Sequence, residues 1–429
     1  MEEGNRESGG QPRRTAKPEL LVPAGSLEVL KVALVYGADA VYIGGEHYGL
    51  RAKAKNFSTE EMAEGIRFAH AHGKKVYVTA NITAHDADLC GVEAYFRELS
   101  ALCPDALIIS DPGVFEIARE VAPEIEIHIS TQANNVNYRT CLFWQKQGAK
   151  RVVTARELSL AEIADVRAHI PDDLELETFV HGAMCISYSG RCLLSNYFTG
   201  RDANLGACTH PCRWKYYLME ETRPGQYLPV FENDRGTYIF NSKDLCMIGH
   251  IPELVRAGIN SFKVEGRMKT ALYVAAVTRT YRRAIDDYFV SEDCYRENLT
   301  YYREEIGKCT YRQYTTGFFF GKPGEDAQIY DNSVYVKDYT YLGIVYGVED
   351  GWCRMQQRNK FCVGDTAEVM KPSGENVAVT VIAIRDAQGN SMESCPHPRQ
   401  DIFVQFDQEP AEFDLIRQRA EGEGEGLTK

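Results

Sequence analysis

Between Glu19 and Tyr288 the sequence alternates short apolar runs with longer amphipathic ones, and nothing else in the chain restricts the fold so strongly. The apolar runs fall at 20–25, 40–45, 75–82, 106–110, 125–130, 151–155, 174–182 and 261–266. Each reads as a strand, and helix-like segments lie between them. The helix expected over 58–73 opens on Ser58 with Glu61 three residues later, the pairing that satisfies free N–H groups at a helix start. Regular strand–helix alternation implies a parallel sheet covered by helices. Eight such units predict an α/β fold of the TIM-like (β/α)8 barrel type, with an open doubly wound sheet as the alternative. The first strand is not followed by GxGxxG, so no dinucleotide site of that kind is expected.

The interval between strands seven and eight is too long for a simple crossover. It predicts an insertion over 183–260 within a barrel domain spanning 18–310. After the helical stretch the periodicity changes. Short runs such as VYVKDY (334–339), WCRMQQR and DIFVQF, separated by DG, GD, SG and GN turns, predict a small antiparallel β-barrel over 325–408. Residues 1–17 read as a disordered polar leader and 415–429 as a disordered tail. The leader has no apolar core, so it does not read as a signal peptide, and no apolar run is long enough to span a bilayer. A cytoplasmic protein is expected.

The insertion holds Cys185, Cys192, Cys208, Cys212 and Cys246, five of the chain's 13 cysteines. Thiolates are soft ligands suited to iron–sulfur clusters, zinc or copper(I). Structural zinc favours two pairs of closely spaced cysteines. Only Cys208 and Cys212 have that spacing, which favours a cluster, although folding could still assemble a zinc site. Buried apolar thiols are the simpler alternative.

Active sites of barrels like this one lie at the C-terminal ends of the strands. Asn81, His181 and Glu265 are the candidate catalytic residues there, and Arg51, Arg156, Arg267 and Gln132 the candidate substrate-binding residues. Guanidinium groups bind carboxylates or phosphates through paired hydrogen bonds, so three at one mouth suit a small polyanion. The alternative is that each arginine pairs with a neighbouring glutamate. With a net charge of −13, the surface as a whole does not favour nonspecific binding to nucleic acid. Local basic candidates are Arg279, Arg282 and Arg283, or Arg191, Arg201, Arg213 and Lys215 beside Trp214, Tyr216 and Tyr217.

The run Glu177-x-Phe179-x-x-Gly182-Ala183-Met184-Cys185, followed by Gly190-x-Cys192-x-Leu194-Ser195, resembles the signature of the U-32 peptidase family of collagenase-like proteins. PELLVPAG, NSKDLC and KVEGRMK extend that resemblance over roughly residues 18–408. Several members are oxygen-independent hydroxylases carrying an iron–sulfur cluster. The resemblance therefore implies a [4Fe–4S] cluster on Cys185, Cys192, Cys208 and Cys246, with Cys212 in reserve. It implies prephenate, a small dicarboxylate, as co-substrate, and tRNA as partner, hydroxylated at the wobble uridine to 5-hydroxyuridine. The alternatives are hydroxylation of another RNA or of a quinone precursor, a collagenase-like peptidase (a hydrolase), and a zinc-stabilised RNA-binding scaffold. Neither HExxH nor GxSxG occurs in the chain, which gives the peptidase reading little support. No protein partner is indicated.

Overall fold

The computed structural model describes residues 16–46, 48–49, 56–185, 188, 192–201, 203, 208–209, 211, 218–219, 227–228, 231–233, 236–238, 243–322 and 336–420. Seven parallel strands follow one another around a ring: β1 (Glu19–Pro23), β2 (Ala40–Gly44), β3 (Lys75–Ala80), β4 (Ala106–Ile109), β5 (Glu126–Ile129), β6 (Arg151–Val153) and β7 (Glu175–Gly182). A short β8 (Asp244–Cys246) lies outside the ring, and β9 (Ser261–Val264) closes it. Ser261 faces Glu19 of β1 on one side and Glu177 of β7 on the other, so the predicted TIM-like barrel is complete. The strands are buried on both faces by the barrel interior and the surrounding helices. That is why they read as unbroken apolar runs.

The helices start where the sequence says they should. Ser58 and Glu61 form both halves of a capping box at helix Thr59–Ala71. Thr270 accepts a hydrogen bond from the Tyr273 N–H at the start of helix Ala271–Val290, which lies against β1.

Among the described residues of the predicted insertion, β8 lies outside the barrel ring. β8 runs antiparallel to the end of β7, with Leu245 opposite Gly182 and Cys246 opposite His181. A further strand, β10 (Tyr314–Thr315), adds to β8 in parallel. A buried ion pair holds β8 in place, with Arg312 Nη2 2.7 Å from Asp244. The short helix Ile251–Arg256 then leads back to β9. Gly182 has φ +109°, and a Cβ there would stand 2.5 Å from the Glu265 carbonyl oxygen, so only glycine fits where β7 passes the exit of β9.

The C-terminal domain is a closed antiparallel barrel of six strands: β11 (Tyr339–Glu349), β12 (Trp352–Gln357), β13 (Thr366–Met370), β14 (Val377–Asp386), β15 (Asp401–Phe406) and β16 (Leu415–Arg419). Two expectations change here. Among the described residues VYVKDY supplies no barrel strand before Tyr339, its Val336 making only an isolated bridge to Tyr311. The sixth strand is instead β16, which pairs with both β11 and β13. The domain therefore runs past 408 to Arg419, and the predicted tail 415–429 begins as core; 421–429 lie outside the described residues.

β16 also ties the two barrels together. Arg417 is completely buried and lies 3.0 Å from Glu305, which Arg279 meets at 2.6 Å. The Tyr36 hydroxyl donates to the Met370 carbonyl at 2.6 Å. Arg279, Arg282 and Arg283 thus do not form a solvated basic face: Arg282 pairs with Asp39 and Asp286, and Arg283 with Glu375. At the other end of the chain, Lys17, the last residue of the expected leader, pairs with Asp286 and is held against the barrel, and Pro18 after it is buried.

Candidate functional site

The C-terminal mouth of the larger barrel opens into a pocket lined by Tyr42, Thr79, Asn81, Ile108, Ser130, Thr131, Gln132, Arg156, Phe179, Lys263, Glu265 and Arg267. Its lower wall comes from inward positions of the strands: Tyr42, Thr79, Ile108, Phe179 and Lys263 stand on β2, β3, β4, β7 and β9 in turn. The rim comes from residues that follow the strands. Ser130 organises one side of it. Its Oγ accepts from the Asn81 side-chain amide at 3.2 Å and from the Gln132 backbone N–H at 3.3 Å. The Gln132 Oε1 is buried and accepts no hydrogen bond among the described residues. A buried acceptor without a donor is costly, and a ligand hydroxyl or N–H would satisfy it.

Two arginines converge on the same space. Arg156 donates to the Ala183 carbonyl at 2.7 Å and lies over the Phe179 ring, 4.7 Å from its centroid. Arg267 donates from Nη1 to Thr79 Oγ1 at 3.2 Å. A Cβ on Gly44 would stand 2.4 Å from that Nη1, so the glycine makes room for the guanidinium. Glu265 lines the same pocket, and its backbone N–H donates to the His181 carbonyl at 2.8 Å.

Five sequence-predicted residues, Asn81, Gln132, Arg156, Glu265 and Arg267, therefore share one pocket. Arg51 lies outside the described residues. His181 is not part of the lining. The β7–β9 register slips between Lys263 and Val264, so Phe179 faces Lys263 but His181 faces Val264. An irregularity of this kind turns the next side chain to the other face of the strand. His181 is consequently buried behind the barrel among Tyr273, Tyr281 and Tyr314, with both ring nitrogens unbonded among the described residues. Burial drives its pKa down to about 3, against the opposing pull of Asp244, so the ring is neutral at physiological pH.

Lys263 escapes a reading that looks only beyond strand ends. Its ammonium lies 2.6 Å from Glu177, and Glu177 is 2.9 Å from Arg151. Arg151 reaches on to Glu19 at 2.6 Å, and Glu19 accepts from the Tyr77 hydroxyl at 2.7 Å. Burial would raise the Glu177 pKa, but Lys263 and Arg151 outweigh it and hold the carboxyl at about 2. The sequence signal was the charge itself: Lys263 alternates with apolar Phe262 and Val264 and must face the barrel interior.

The cysteines have the right chemistry for a soft metal. Ser195 and Thr209, three residues after Cys192 and one after Cys208, share a hydrogen bond of 2.9 Å. Cys246 sits on β8 opposite His181, and burial pushes its thiol pKa up to about 11. Cys185 is exposed, three residues past the end of β7. Among the described residues no three His, Cys, Asp or Glu side chains stand close enough to hold a metal ion. The donor set thus fits a soft metal by its chemistry. Cys212, Arg191, Arg213, Trp214, Lys215, Tyr216 and Tyr217 lie outside the described residues, and Arg201 is exposed. Among the described residues no helix is long and apolar enough to cross a membrane.

Comparison with known proteins adds three relatives. Residues 25–329 match peptidase family U32, and residues 337–417 match the peptidase family U32 C-terminal domain. The chain is 41% identical to tRNA hydroxylation protein P1 of Bacillus subtilis, over 94% of this chain and 95% of that protein. It is 39% identical to tRNA hydroxylation protein P of Escherichia coli, over 92% and 94%. It is 38% identical to the 23S rRNA 5-hydroxycytidine C2501 synthase of Escherichia coli, over 62% of this chain and 39% of that protein.

Proposed function

The chain belongs to peptidase family U32, and from that premise we propose that it is an RNA-hydroxylating enzyme whose substrate is tRNA. Full-length similarity to two tRNA hydroxylation proteins supports this reading. The observation that carries it furthest is the barrel-mouth pocket, where Arg156, Arg267 and the unbonded Gln132 Oε1 meet apolar walls from Tyr42, Ile108 and Phe179. That combination suits a small carboxylate with an apolar body and a hydrogen-bond donor. In the finer form of the proposal this co-substrate is prephenate, the source of the hydroxyl. The reaction needs no oxygen, the product is 5-hydroxyuridine at the wobble position, and the enzyme works in the cytoplasm.

The pocket residues bind and orient. Arg156 and Arg267 present guanidinium groups to carboxylate oxygens, and their bonds to Ala183 and Thr79 fix those groups in advance. Asn81, Ser130 and Gln132 form one polar rim. Cys185, Cys192, Cys208 and Cys246 would hold a [4Fe–4S] cluster, with Cys212 in reserve, and such a cluster supplies one-electron chemistry. Nucleoside mass spectrometry of tRNA from a strain lacking the gene tests the proposal. Loss of 5-hydroxyuridine, restored by the intact gene, is the expected result. Unchanged tRNA together with loss of a hydroxylated rRNA nucleoside would move the activity to ribosomal RNA.

A further inference from the structure

We infer that Lys263 is a ligand-binding cation at the floor of the barrel-mouth pocket, meeting the far end of the small carboxylate whose near end Arg156 and Arg267 receive. The inference rests on the reading of that pocket as a carboxylate site. Three observations carry it.

Lys263 lines the pocket from an inward position on β9, below the rim formed by Glu265 and Arg267 on the same segment. An ammonium offers three N–H donors. Among the described residues the only hydrogen bond Lys263 makes is the 2.6 Å one to Glu177, so donors remain for a ligand. Its Nζ also lies 4.6 Å from the Tyr42 ring centroid and 5.5 Å from that of Phe179, two walls of the same pocket. These rings keep the ammonium at the junction of the charged barrel interior and the cavity.

Glu177 acts as a positioning residue. It is fully buried, and Arg151 holds its other oxygen, so it cannot swing away from Lys263. Arg151 is in turn fixed by Glu19 and Glu175. The lysine is thereby anchored from below, and its flexible stem loses its freedom before any ligand arrives. A ligand with one anionic group engages only the rim. A ligand with two, spaced to reach from rim to floor, engages all three cations.

The test uses full-length protein and measures binding of prephenate, malate and lactate by calorimetric titration. Lys263→Met alone would leave Glu177 with only Arg151 beside it, so the primary variant is the charge-matched double, Lys263→Met with Glu177→Gln. It should bind the dicarboxylates roughly ten- to a hundredfold more weakly than wild type, the value of a hydrogen bond to a charged group, with lactate unchanged. Equal dicarboxylate affinity in the double variant overturns the inference. If the wild type takes malate but not prephenate, and the double variant loses malate, the prephenate reading falls while Lys263 keeps its role. If the wild type takes none of the three, the Lys263 inference falls as well. A second measurement needs no variant: wild-type protein should bind malate at least about tenfold more tightly than lactate, the value of one added hydrogen bond to a charged group. Equal affinity for the two counts against the inference.

Discussion

Replacing Glu177 by glutamine removes one negative charge from the middle of the barrel and changes almost nothing in shape. Lys263 and Arg151 hold the Glu177 carboxyl at about 2 in the folded protein, against an ordinary value of 4.5. The sign follows from the direction of the shift. A depressed folded-state pKa contributes stability that is fully present above the unfolded value and is lost as pH falls towards the folded one. The difference corresponds to about 3 kcal/mol at pH 7 and about 2 kcal/mol at pH 3.5. Glutamine mimics the protonated acid, so Glu177→Gln should be less stable than wild type by that margin at neutral pH, and the gap should narrow in acid. Urea denaturation followed by circular dichroism at the two pH values measures both quantities. A gap below about 1 kcal/mol at pH 7 would mean that solvation of the ions cancels their attraction. A gap that is the same at both pH values would show that packing, not charge, sets it. Either result refutes the reasoning.

Arg267→Lys should weaken dicarboxylate binding by about tenfold in calorimetric titration, because a lysine cannot reproduce the paired donors that Gly44 makes room for. Cys185→Ala and Cys246→Ala, purified without oxygen, should each lose iron and sulfide on chemical assay; full retention in both would remove them from the ligand set. Arg417→Ala should destabilise the chain by about 3–5 kcal/mol in the same urea assay, since Glu305 and Glu368 would lose a buried partner. Charge reversal at both Arg213 and Lys215 should lower 5-hydroxyuridine in tRNA while iron content stays constant.

How much of this was legible in the sequence depended on whether a segment's environment resembles its composition. The eight barrel strands are buried on two faces, so their apolar runs marked them within a residue or two. β16 defeated the same logic. LIRQR reads as the start of a polar tail, yet Arg417 is fully buried, because Glu305 from the barrel domain and Glu368 from β13 neutralise it. No window around residue 417 contains either carboxylate. β8 was missed for a related reason: three residues carry no periodicity, and their strand state comes from pairing with β7 and from the Asp244–Arg312 ion pair.

The site followed a different rule. Collecting polar residues after strand ends found the rim, since chain order and barrel geometry coincide there. The same procedure included His181, which a one-residue slip of register turns away from the mouth, and excluded Lys263, which lies within its strand. Both cases turn on the direction of a side chain along β7 and β9. Alternation alone would have put Lys263 inside beside Glu177, but it would have put His181 inside as well. Only the pairing of β7 with β9 separates them, and that pairing exists once the ring has closed. A barrel therefore shows its rim in the one-dimensional sequence, while its floor is defined by contacts between strands far apart in the chain, here Glu19, Arg151, Glu177 and Lys263 on β1, β6, β7 and β9.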